Sequence, residues 1–83
     1  MPEIARFYGI VVKIYFGREH NPPHVHCIYG EKMASFDLRD LSLLEGDLPL
    51  KAIALCTEWL QLYKNELMEM WNTQTIHRLP PLE

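Results

Sequence analysis

Three of the four histidines of this chain fall within one short run, His20-Asn21-Pro22-Pro23-His24-Val25-His26. Imidazole titrates near neutrality and is the commonest protein metal ligand, so acid–base or ligand chemistry would begin here. Pro22 and Pro23 carry no backbone donor and restrict the residue before them. The run therefore reads as a loop feeding an extended segment, not as a helix. In that segment His24 and His26 stand two residues apart and project to the same side.

Several uses fit this pattern. As ligands, His24 and His26 would offer two nitrogens to one ion, with His20 closing back over the prolines as a third. Asp37 would serve as a fourth ligand or as the hydrogen-bond partner of one, and a divalent ion such as zinc would suit the set, although no cysteine ligand accompanies it. As metal-independent catalysts needing no cofactor, His24 and His26 would act as acid and base on a phosphodiester, with Lys13 stabilising the anionic transition state and Arg6 and Arg18 as further local cations. As contacts, the histidines and Tyr15 would form a binding face for a partner protein or an anionic ligand. The plainest reading is a rigid Asn21-Pro22-Pro23 turn whose ends the histidines pack.

The elements that must position these side chains are two hairpins and a helical segment. Ile4 to Phe16 is rich in β-branched and aromatic residues around Gly9, which predicts a hairpin turning at Tyr8-Gly9. Ala5, Phe7, Ile10, Val12, Ile14 and Phe16 then share one face, and Arg6, Val11, Lys13 and Tyr15 the other. His24–Tyr29 and Lys32–Leu38 flank Gly30-Glu31, a two-residue II′ turn. That register sets Val25 opposite Phe36, Cys27 opposite Ala34, His26 opposite Ser35 and His24 opposite Asp37. It sorts the apolar residues to one face, whereas a slip of one residue would mix them. Cross-strand partners lie about 5 Å apart at Cβ, so Asp37 is expected to hydrogen-bond His24.

Residues 39–48 read as a connection. From Pro49 to Asn72, Ile53, Cys56, Leu60, Tyr63, Leu67 and Trp71 recur at helical spacing. A straight helix over this span would be about 36 Å long, too long for a small domain, so a break near Tyr63–Asn65 is expected. Residues 73–83 form a tail, with a short extended piece at Ile76–Leu79. The fold class is α+β: a ββββ antiparallel sheet of two hairpins (residues 4–38), covered on one face by one or two C-terminal helices (49–72).

With 83 residues the chain makes a single domain, and 48% apolar and 23% charged residues are an ordinary globular balance. No apolar run approaches the roughly 20 residues needed to span a bilayer, and Met1-Pro2-Glu3 does not begin a secretory signal. Cys27 and Cys56 are isolated, which points to a reduced, cytoplasmic setting. A net charge of −3 argues against nucleic-acid binding through a bulk positive field, while leaving room for a local basic face. Trp59, Trp71, Met68 and Met70 read as helix core, and Glu58, Lys64, Glu66 and Glu69 as a solvated face.

Met1-Pro2-Glu3-Ile4, the glycine-bearing aromatic hairpin, the histidine–proline run and Glu69-Met70-Trp71-Asn72 together resemble the bacterial domain-of-unknown-function family DUF4160. His20, Pro22, Pro23, His24 and His26 match its signature; Asp37 enters through the pairing argument alone. The resemblance implies a small stand-alone bacterial protein of the kind encoded beside a second small protein, in the manner of type II toxin–antitoxin modules. It further implies the toxin half of such a pair, with the small cognate protein as partner. If the chain is an enzyme, its histidine-bearing polar face favours RNA as the substrate; the competing reading is a non-catalytic binding module, including the antitoxin role, and a homodimer is allowed. No catalytic mechanism comes with the family.

Overall fold

The computed structural model describes residues 3–14 and 22–83. Its elements run β1 (Glu3–Phe7), β2 (Ile10–Ile14), β3 (His24–Tyr29), β4 (Lys32–Asp37), β5 (Leu43–Gly46) and α1 (Leu50–Thr73). The strands form one five-stranded antiparallel sheet in sequential order, β1-β2-β3-β4-β5. The α+β class expected from the sequence is thus the observed one, with a fifth strand added.

Both hairpins adopt the expected registers. Phe7 pairs with Ile10 and Ala5 with Val12 across a turn in which Tyr8 (φ 48°) and Gly9 (φ 80°) are both left-handed. That is the type I′ combination matched to strand twist. In the second hairpin, Tyr29 pairs with Lys32, Cys27 with Ala34, Val25 with Phe36, His26 with Ser35 and His24 with Asp37. Gly30 alone carries a positive φ there (62°), as a II′ turn requires. Strands β2 and β3 pair in turn, placing Lys13 opposite His26 and Val12 opposite Cys27. The two hairpins therefore share one apolar face and one polar face.

Strand β5 replaces what the sequence presents as a connection over residues 39–48. Leu43-Leu44-Glu45-Gly46 shows no alternation, and all four residues are exposed. Its position is set by pairing with β4 and by the Asp47 amide, which donates to the Met33 carbonyl at 3.0 Å. The register shifts between Ser35 (opposite Glu45) and Phe36 (opposite Leu43), so Leu44 is the extra residue of a bulge. Beyond it Gly46 sits at φ 86°, and a Cβ there would collide with the Met33 carbonyl oxygen.

Helix α1 covers the apolar face. Ala52, Cys56, Trp59, Leu60, Leu67 and Met70 join Ile4, Val12, Ile14, Val25, Cys27 and Phe36 in one buried core. The Phe7 and Trp59 rings stack at 5.6 Å. The break expected near Tyr63–Asn65 is a kink: Tyr63 leaves helical geometry (φ −115°, ψ 17°), yet the helix continues to Thr73. Leu67 and Met70, both buried, keep the second half on the sheet. The tail forms no strand at Ile76–Leu79. Instead the Leu79 amide donates to the Ile4 carbonyl at 2.8 Å, and Trp59 Nε1 donates to the Pro80 carbonyl at 2.8 Å. The tail is thereby tied along the outer edge of β1.

Candidate functional site

The face turned away from α1 carries one continuous polar row. Pairing across the strands sets Glu3, Lys13, His26, Ser35 and Glu45 side by side, with neighbouring strands about 4.8 Å apart. His24 stands two residues from His26 on the same strand, and their rings meet edge to face at 5.1 Å. Pro22, His24, His26, Ser35, Leu44 and Glu45 line a shallow groove of about 420 Å³ on this face. The β5 bulge explains why Leu44 and Glu45, consecutive in sequence, both reach it.

His24 is held from two further sides. Its Nδ1–H donates to the Pro22 carbonyl at 2.9 Å, which leaves Nε2 as the basic nitrogen of the neutral ring. Its ring also packs against Trp71, in the last turn of α1, at 5.5 Å. His26 Nδ1 lies 3.3 Å from the Met33 thioether, a weak acceptor, so Nε2 is its basic nitrogen too. Burial, and then the charge of His24, pull the His26 pKa below the ordinary imidazole value, while Glu45 opposes them. His26 is accordingly neutral at pH 7.

Asp37 has a different partner from the one expected. It faces His24 in register and is buried, but both carboxylate oxygens are held by Arg39. The Arg39 amide and Nε donate to Oδ1 at 2.8 and 3.1 Å, and Nη2 donates to Oδ2 at 2.8 Å. Arg39 follows by two residues across a tight turn, and its fork matches a carboxylate better than an imidazole does. The Arg39 hydrogen bond is the main cause that holds the Asp37 pKa below the usual carboxylate range. Asp37 therefore supports the end of β4 and does not orient His24.

Lys13 is half-buried beside His26 but does not line the groove. Arg6 pairs with Glu3 at 2.7 Å, and Arg78 reaches Glu3 from the tail at 3.2 Å. His20, Arg18 and Tyr15 lie outside the described residues. Among the described residues no three His, Cys, Asp or Glu side chains converge as a metal site. The three-histidine ligand set thus depends on His20.

Trp71 and Glu45 are groove neighbours that sequence reasoning had placed elsewhere, in the helix core and in a connection. For Trp71 the signal was partial, since helical spacing put it on the core stripe but not beside His24. Glu45 left none, because its position depends on a bulge. A larger groove of about 540 Å³, lined by Tyr8, Tyr29, Lys51 and Leu55 among others, lies where α1 begins and brings in no histidine. That groove holds Tyr8, Tyr29, Lys51, Glu58 and Glu83, whereas among the described residues two imidazoles meet on the polar face.

The family model of a domain of unknown function, DUF4160, matches residues 9–72. No curated protein and no solved structure matches the chain.

Proposed function

The chain belongs to the DUF4160 family, and from the geometry of its polar face we propose that it cleaves RNA by metal-independent acid–base catalysis. The observation that carries this reading is the packed pair of imidazoles, 5.1 Å apart over a groove, in unlike surroundings. Neutral His26 accepts the proton of a ribose 2′-hydroxyl as its oxygen attacks phosphorus. Protonated His24 returns a proton to the departing 5′-oxygen, leaving a 2′,3′-cyclic phosphate. Lys13, beside His26, stabilises the charge that develops on the phosphoryl oxygens. Pro22 and Trp71 hold the His24 ring in place. In a cell such an enzyme would act in the cytoplasm as the toxin of a toxin–antitoxin pair, restrained by a small cognate protein.

The test is cleavage of an RNA oligonucleotide by purified protein in EDTA. Cleavage with cyclic-phosphate ends is expected, and none of the matching DNA, which lacks the 2′-hydroxyl. His24→Ala and His26→Ala should each slow it by about 10²–10⁴-fold, in protein whose circular dichroism is unchanged. Lack of cleavage, or equal cleavage by the double variant, would refute the proposal. Activity abolished by EDTA and restored by zinc would transfer the histidines to the ligand reading, with His20 completing the set.

A further inference from the structure

The two edges of the sheet are treated differently. The outer edge of β1 is covered by the chain itself, through the Leu79–Ile4 main-chain bond and the Arg78–Glu3 ion pair. Strand β5, at the other edge, has no described residue paired with its outer side. All four of its residues are exposed, Leu43 and Leu44 by 47% and 43%. An uncovered edge presents unpaired amides and carbonyls and is a template for an added strand.

We propose that β5 is a docking edge for an extended segment of another protein, apolar and basic in alternation. Charge supports the basic half. Residues 40–47 read Asp-Leu-Ser-Leu-Leu-Glu-Gly-Asp, with no lysine or arginine. Asp40, Glu45 and Asp47 are all exposed, while Arg39, just before them, is engaged by Asp37. The bulge supports the apolar half. It leaves Leu43 on the helix side of the sheet and Leu44 on the groove side, so an added strand meets a leucine on either face.

The edge is too short to bind a second copy of this chain. Four residues span about 13 Å, and paired with themselves they fall far below the ~1,000 Å² of a specific interface. Self-pairing would also bring Glu45 and its flanking aspartates toward their own copies. A heterologous segment suffers neither limit, because it can continue past β5 and fill the adjoining groove with a basic side chain directed at Glu45. Such a strand would lie across the approach to His24 and His26, whether that face cleaves RNA or only binds.

The probe is a short fluorescent peptide of alternating valine and lysine or arginine, titrated into the full-length protein. Controls are a valine–glutamate peptide and a copy of the basic peptide with its alternate amides N-methylated. Saturable binding of the basic peptide is expected, with amide shift changes on β5 and β4. Binding should weaken at least about fivefold with Glu45→Lys and be lost with the N-methylated peptide. Gly30→Ala, at the distant β3–β4 turn, should bind as the wild type does. The proposal is overturned by absence of saturable binding, by equal binding of the N-methylated peptide, or by shifts confined to the Tyr8–Tyr29 end. Sedimentation showing that the chain self-associates through β5 would also overturn it.

Discussion

Burial strips water from the His26 ring, and His24 adds a like charge whenever both are protonated, so the folded chain holds the His26 proton more weakly than the unfolded chain does. Between the folded value and the ordinary imidazole value of about 6.5, the unfolded state binds more protons. Stability should therefore fall as pH drops through that window, and urea midpoints at mildly acidic pH should fall less in His26→Ala than in the wild type. In NMR titrations, His24→Ala should raise the His26 pKa only part of the way back, because burial is the larger cause. Glu45→Gln should lower it further, because Glu45 favours the charged ring. Asp37 works in the opposite sense. Arg39 lowers its pKa, so its contribution is present above the unfolded carboxylate value of about 3.9 and is lost as pH falls through the folded one. Equal His26 midpoints in wild type and Glu45→Gln would contradict this electrostatic picture.

At the scale of elements, Gly46 ends β5 in a conformation and a space that only glycine fits. Gly46→Ala should cost about 2–3 kcal/mol in chemical denaturation and raise amide exchange along β5. Gly30→Ala, with open space at its Cβ but a positive φ, should cost about 1–2 kcal/mol. Both hairpins were legible in the sequence because Tyr8-Gly9 and Gly30-Glu31 are turn signals between alternating segments, and only one register gives each a clean apolar face. The histidine pair was legible for the same reason, as residues two apart on a strand. Strand β5 was not, since Leu43-Leu44-Glu45-Gly46 carries no period and owes its pairing to a bulge. The Asp37–Arg39 clasp escaped because cross-strand reasoning overlooks a local partner two residues ahead. The kink at Tyr63 was legible as a matter of length.

The whole molecule measures 31 × 24 × 23 Å, with a radius of gyration of 11.6 Å. A straight α1 of about 36 Å would exceed its longest dimension. The kinked helix starts beside the Tyr8–Tyr29 end and finishes against His24, so one element links the two ends of the sheet. Trp59 ties the C-terminal tail to this frame, and Trp59→Phe, which removes both the donor and the five-membered ring of a fully buried side chain, should cost about 2–3 kcal/mol and loosen the tail from β1. Cys27 on β3 and Cys56 on α1 are both fully buried at the sheet–helix contact, and the contact with Cys56, followed by burial, raises the Cys27 thiol pKa. Alkylation of either should track global unfolding, and rapid labelling of the native protein would contradict that packing. With an overall charge of −3, the proposed binding of an RNA phosphate would rest on Lys13 and the imidazoles. The central claim is therefore tested most directly by the rate of RNA cleavage in EDTA as a function of pH. The rate is expected to fall on the acidic side as His26 takes up its proton below the ordinary imidazole value, with His26→Ala abolishing that acidic limb. An unaltered profile in the His24→Ala/His26→Ala double variant, or no cleavage at any pH, would contradict the account.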